Sequence, residues 1–240
     1  MLNGKVAFVS GGTGYIGSEI CRALSHHGAT VIFTYHKNKK KADELTGEIK
    51  GAVALAINLR DVNDIQRKIE KLYQDVEIID VLINNAGISQ IMPMAMLEEE
   101  DVSLMLDINI KGNIFLTKHI VKGMIRNKCG TIINIGSIAG HRMLDVPVTY
   151  AVTKAAISGF TVALASELRR FGIRVNCVVP GLLESGVSNG VPEDLRDDFI
   201  RHCAAGRAGR AKEIADTVCF LASDKASYIN GQNIFVDGGI

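Results

Sequence analysis

Charge of one sign is what this chain most lacks: 27 Lys and Arg stand against 26 Asp and Glu, a formal net charge of +1 over 240 residues. With no long-range field, neither a nucleic acid nor a charged membrane surface is expected as a partner. The five cysteines, at 21, 129, 177, 203 and 219, are odd in number and never fall at CxxC spacing. That excludes a disulfide framework and a zinc site, so no metal is expected and the thiols read as free in a reducing cytoplasm. The opening residues Met1 to Val6 run directly into an apolar strand with no charged-then-apolar leader, and no apolar run is read as membrane-length. Neither a repeat nor a linker is visible. At 47% hydrophobic and 22% charged, the length suits one large α/β domain over residues 1–240.

What is present begins with Val6-Ala7-Phe8-Val9, a short apolar run that ends in Ser10-Gly11-Gly12-Thr13-Gly14-Tyr15-Ile16-Gly17. A helical pattern through Ile20 and Leu24 follows, stopping at Gly28. Strand, glycine turn and helix in this order let backbone N–H groups and a helix N-terminus approach a pyrophosphate, because glycine has no Cβ in the way. Glycine is common here, 24 residues, so placement after the first buried strand carries the signal. A second strand, Thr30 to Tyr35, lacks the acidic residue that would bind the ribose hydroxyls of NAD. Tyr35-His36-Lys37, with Lys39 to Lys41 behind, offers cations to a 2′-phosphate instead, so NADP(H) is expected over NAD(H); a solvated, charged helix start is the alternative. Further strands are expected at Ala52–Ile57, Asp80–Ile83, Thr131–Ile135, Ile173–Val179 and Ile234–Val236, making seven. Alternation with helices predicts a Rossmann-type, doubly wound parallel sheet with helices on both faces and ligands at its carboxyl edge.

Tyr150-Ala151-Val152-Thr153-Lys154 opens a stretch from Thr149 to Arg170 that holds no proline. Ile157, Phe160 or Thr161, Leu164 and Leu168 recur at helical spacing, and Arg169 and Arg170 suit the negative end of the helix before Gly172. Residues four apart share a helical face, so the Tyr150 phenol and Lys154 ammonium are neighbours, and a fixed cation favours phenolate. A long helix is expected over Leu104–Met124, in which Asn109 is either a paired core amide or a functional one. Ser137, thirteen positions before Tyr150, ends the fifth strand and reads equally well as a turn or cap serine. Residues 182–206 break any periodicity with Gly186, Gly190 and Pro192, which suits a flap over a site or a plain surface excursion.

Taken in order, the glycine turn, Asn84-Asn85-Ala86-Gly87, Asn109, Ser137, Tyr150-x-x-x-Lys154, Pro180-Gly181 and Tyr228-Ile229-Asn230-Gly231-Gln232…Val236-Asp237-Gly238-Gly239 resemble the single-domain short-chain dehydrogenase/reductases over essentially the whole chain. The 3-oxoacyl-acyl-carrier-protein reductase type is the most similar branch. The resemblance implies a catalytic tetrad. Asn109 would hold a water chain, Ser137 bind the substrate oxygen, Tyr150 exchange its proton, and Lys154 assist Tyr150 and bind the nicotinamide ribose. It also implies cofactor contacts at Gly11, Thr13, Gly14, Tyr15, Ile16, Gly17, Tyr35, His36, Lys37, Asn58, Leu59, Asn85, Ala86, Gly87, Pro180, Gly181, Leu183 and Ser185, and a homotetramer.

The implied reaction is NADPH-dependent reduction of a carrier-bound 3-oxoacyl thioester, with Arg126, Lys128, Arg169 and Arg170 as a docking rim unless they are ordinary helix-end charges. A free ketone or secondary alcohol is the alternative substrate, and a non-catalytic dinucleotide-binding regulator the remote one. The chain departs from the branch at Ser10 and Tyr15 in the glycine turn, at Asn58 where Asp is usual, at Ser185 for Thr and at Phe171 where carrier-docking members often show Arg. The Gly-Gly-Thr-Gly-Tyr-Ile-Gly string is similar to that of two-domain sugar-nucleotide epimerases, whose substrate domain 240 residues cannot hold.

Overall fold

A computed structural model describes residues 1–240. Seven strands lie parallel in one sheet: β1 (Val6–Val9), β2 (Thr30–Tyr35), β3 (Val53–Ala56), β4 (Val81–Asn84), β5 (Gly130–Ile135), β6 (Ile173–Pro180) and β7 (Asn233–Val236), in the order β3-β2-β1-β4-β5-β6-β7. Their sequences read as continuous apolar runs because both faces are covered. In β1, Ala7 and Val9 enter one layer while Phe8 enters the other. The first layer holds α1 (Tyr15–His26), α2 (Lys39–Glu48) and α8 (Ala211–Ala222), contributing Ile20, Leu24, Leu45, Ile214 and Val218. The second holds α3 (Val62–Leu72), α5 (Asn113–Asn127) and α6 (Val148–Leu168), through Ile65, Ile69, Leu116, Ile120 and Leu168. Truncating a fully buried side chain such as Phe8 would cost roughly 3–5 kcal/mol.

Chain order reverses between β1 and β4, which are hydrogen-bonded neighbours with Ala7 opposite Val81. Such a reversal opens a crevice at the carboxyl ends of the strands, where the two halves of the chain diverge. A buried polar ladder fixes the helices beside it. Asn84 Nδ2 donates to Thr117 Oγ1 and to Asn134 Oδ1, both at 2.8 Å, and Asn134 Nδ2 donates to Thr161 Oγ1 at 2.8 Å. These bonds tie α5 and α6 to adjacent strands at the edge where the crevice opens.

Two expectations change. The helix expected over 104–124 begins earlier, with α4 (Glu99–Leu106), and passes through a π-helical segment, Asp107–Gly112, before α5. And α6 with its last turn, Val148–Phe171, is long and apolar enough by composition to cross a bilayer, with a mean hydropathy of 1.3. It packs on the sheet through Ile157, Thr161 and Leu168 and buries Lys154, while Val152 and Val162 face outward. Its hydrophobicity is therefore spread over two faces, and the core accounts for one of them.

Candidate active site

The glycine turn is built for close approach. Gly11 has φ +67°, and a Cβ on Gly17 would lie 2.2 Å from the Gly11 carbonyl oxygen, so no larger residue fits there. Ser10 Oγ accepts from the amides of Asn85 and Ala86 at 3.0 Å each, and Asn85 Nδ2 donates back to the Ser10 and Gly11 carbonyls. The Gly11 amide donates to Thr34 Oγ1 at 3.0 Å. The first turn of α1, which includes Tyr15, Ile16 and Gly17, carries no acidic residue, and its N-cap Gly14 supplies no side-chain cap. Orphan N–H groups at such an end form an anion site, so the turn fits a dinucleotide's diphosphate.

At the end of β2, Tyr35 is half-buried while His36 and Lys37 are exposed beyond it. Asn38 caps α2, accepting from the Lys41 amide, and Lys39 pairs with Asp43 at 2.8 Å. Lys39 is therefore already partnered within its own helix. Asn58 is held by its neighbours: its amide donates to Asp64 Oδ2 at 3.0 Å and its Oδ1 accepts from the Arg60 amide. Leu59 is buried, with its carbonyl where a Cβ on Gly112 would fall, 2.6 Å away, so the β3 end and the π segment touch.

The π segment delivers Asn109 inward, 2% exposed. Asn109 Oδ1 accepts from the Ile88 amide at 2.8 Å, and Nδ2 donates to the Ile88 carbonyl at 2.9 Å and to Thr153 Oγ1 at 3.1 Å. The side chain thus clamps the loop after β4 to α6. Thr153 Oγ1 in turn donates to the Tyr150 carbonyl at 2.8 Å, so the clamp reaches the helix turn that carries the phenol. Local widening of a helix is a common way to aim one side chain at a site.

Lys154 is 7% exposed and donates from Nζ to the Ile135 carbonyl at 2.9 Å. Its Nζ lies 5.7 Å from the Tyr150 ring centroid. A Cβ on Gly87 would come 3.7 Å from Nζ and 3.3 Å from Asn109 Oδ1, which places Gly87, Asn109 and Lys154 in one cluster. Ser137 follows Ile135 by two residues and caps a short 3-10 turn, its Oγ accepting from the Ala139 amide at 3.2 Å. Next to this cluster, burial pushes the Cys177 thiol up to about 11 even though Lys154 opposes the shift. A thiol so held stays protonated and is a poor nucleophile.

Pro180 ends β6, and a Cβ on Gly181 would lie 2.7 Å from Asp237 Cα. Leu183 is buried and its amide donates to Ser188 Oγ at 3.3 Å. Ser185 precedes a 3-10 turn, Gly186–Gly190, and α7 (Glu193–His202) completes the excursion expected to be a flap. The proposed docking rim is displaced. Arg126 and Lys128 stand at the far end of α5, and Arg169 lies nineteen residues past Tyr150, about 28 Å along the axis at 1.5 Å per residue. Helices in this sheet return the chain to the strands' amino edge, so these cations lie opposite the cluster within one chain. Thr153, Thr34 and the Ile135 carbonyl were not legible as contributors, since nothing in their local pattern separates them from ordinary turn or core residues.

The family model described as Enoyl-(Acyl carrier protein) reductase matches residues 13–240. The 3-oxoacyl-[acyl-carrier-protein] reductase FabG of Thermotoga maritima is 35% identical over 100% of this chain and 98% of its own length. The Salmonella typhimurium protein of that name is 35% identical over 99% and 97%. Among solved structures, a double mutant of the Serratia marcescens short-chain dehydrogenase/reductase superposes with a TM-score of 0.92 at 31% identity, covering 99% and 98% of the two chains. With a sheet of this order, a glycine turn at its reversal and full-length relatives above 30% identity, the chain belongs to the short-chain dehydrogenase/reductase family, oxidoreductases acting on CH–OH and C=O groups with a nicotinamide dinucleotide.

Proposed function

We propose that the chain is an NADPH-dependent ketoreductase whose substrate is a 3-oxoacyl thioester. The observation that carries this reading is the buried Lys154 ammonium, fixed between Gly87, Asn109 and the Tyr150 ring at the edge that also presents the glycine turn. A bound reduced nicotinamide supplies the hydride. Tyr150 gives its proton to the substrate oxygen while the Lys154 charge favours negative charge on the phenolic oxygen it leaves behind. Ser137, already disposed to accept from an amide, turns its hydroxyl to donate to the same substrate oxygen. Asn109 positions: with its amide engaged by Ile88 and Thr153, it keeps the turn bearing Tyr150 and the loop bearing Gly87 in register. The exposed Lys37 and His36 favour a 2′-phosphate.

The relatives' name supports a carrier-bound substrate. The free-ketone alternative draws on a different fact: Arg169 lies about 28 Å along α6 from Tyr150, and Ile88 to Leu97 beside the site hold no charged residue. A homotetramer is supported by outward apolar residues on α6 and the α4–α5 rod, Val152 (55% exposed), Val162 (50%) and Leu106 (42%). Five free cysteines with no disulfide suit a reducing cytoplasm.

Absorbance of NADPH during turnover, read with a panel of 3-oxoacyl thioesters and simple ketones and repeated with NADH, tests the whole reading. Oxidation of NADPH with acyl thioesters at higher kcat/KM than with ketones is the expected result. Preference for ketones moves the assignment to the alternative substrate, and no oxidation with any of them leaves a dinucleotide-binding regulator.

A further inference from the structure

The turn Gly186–Gly190 is bounded by two glycines, and each receives a side chain from a different wall of the crevice. A Cβ on Gly186, φ +85°, would lie 3.1 Å from Tyr15 Cβ and 3.3 Å from its Cδ1. One on Gly190 would lie 2.6 Å from Ile91 Cδ1. Tyr15 belongs to the first residue of α1, beside the diphosphate turn, and packs its ring against the core layer that holds α1. Ile91 belongs to the loop after β4, three residues past the Ile88 that Asn109 clamps. The turn therefore spans from the glycine turn on one side to the loop after β4 on the other, and docks on both through bare backbone. Leu183 and Ser188 tie its base with one hydrogen bond, and Ser185 stands immediately before it.

Size complementarity marks the first contact as specific. The chain places a large ring where the single-domain branch it resembles usually has glycine, and the flap residue facing that ring has no side chain. We propose that Tyr15 and Gly186 form a clasp that holds the Gly186–Gly190 turn closed over the nicotinamide dinucleotide, so that Tyr15 governs the rate at which the cofactor leaves. Ile91 and Gly190 close the opposite side. The proposal rests on the nicotinamide-dependent reading above and adds the residue that sets cofactor residence. The turn must open before the ligand leaves, so losing the contact speeds dissociation, and it leaves association unchanged or faster because a closed turn can only delay entry.

The experiment follows NADPH fluorescence in a stopped flow, displacing bound NADPH with excess NADP+ from the wild type, Tyr15→Ala, Tyr15→Phe and Ile91→Ala. Tyr15→Ala is expected to speed NADPH release by about tenfold with an association rate no lower than that of the wild type. Tyr15→Phe, which keeps the ring, is expected to release NADPH as the wild type does, and Ile91→Ala to release it faster. Release from Tyr15→Ala at the wild-type rate overturns the clasp and leaves the reductase reading standing. Slower association with unchanged release also overturns it, since Tyr15 would then only shape the glycine turn. A wild type that never binds NADPH removes both the clasp and the reading beneath it. Equal thermal unfolding of the ligand-free variants separates a lost clasp from a damaged fold.

Discussion

Tyr150 sits one turn before a buried ammonium, whose Nζ lies 5.7 Å from its ring centroid. Tyr150→Phe removes one oxygen and the proton it carries while leaving the ring that packs beside Lys154. Turnover should fall by roughly 10²–10⁴-fold, the span of general acid catalysis, while NADPH quenching titrations return a wild-type affinity. Ketone reduction at the wild-type rate by that variant would remove Tyr150 from the proton path. This residue and Lys154 were legible from sequence because helical spacing alone places them together. Asn109 was legible only as an ambiguity: an amide in an apolar stretch is core or function, and its partner Ile88 is twenty-one residues away with no signature of its own. The cations at Arg126, Lys128, Arg169 and Arg170 are the opposite case. Their charge is visible in the sequence, but the edge of the sheet they occupy depends on the direction of the helices that carry them.

Among the elements, the π-helical segment Asp107–Gly112 is the one whose geometry the sequence conceals. Its residues are those of any partly buried helix, and only the contacts of Asn109 and of Gly112 with Leu59 show why the turn is widened. A π turn holds one residue more than the α-helix around it, so deleting the exposed Lys111 should let α4 and α5 join as regular helix with both core faces kept in phase. The expected product melts no lower than the parent and has lost turnover, since Asn109 no longer reaches Ile88; a variant that unfolds would show that the segment supports the fold. The start of α8 offers a test by pH. Glu213 accepts from Arg207 and from the Arg210 amide, chiefly the former, and these donors hold its carboxyl at about 2. Its folded value is below the unfolded one, so its contribution is present above about pH 4.3 and lost as pH falls toward 2. With the side chain 37% exposed, screening keeps that contribution under about 1 kcal/mol. In urea melts Glu213→Gln should trail the wild type at about pH 6, with the gap narrowing below about pH 4 and closing only as pH falls toward 2.

At the scale of the molecule, the apolar outer face of α6 needs an explanation that one chain does not contain. If Val162 lies between copies in a homotetramer, Val162→Asp should shift sedimentation toward smaller species at unchanged helix content; an unaltered profile would place that valine in solvent. The seven strands were legible because each is a short apolar run buried on both sides, whereas their spatial order follows from crossovers that no local pattern encodes. That order has a consequence in time. Ser10 holds the amides of Asn85 and Ala86 across 75 positions of chain, and β1 has no inner neighbour until β4 exists. At roughly 5–20 residues per second of synthesis, the glycine turn must wait about 4–15 s after its own emergence for the residues that shape it. Nascent chains lacking β4 therefore have no seat for the cofactor, and the dinucleotide meets this protein only after translation has carried it well past the segment that will grip the phosphates.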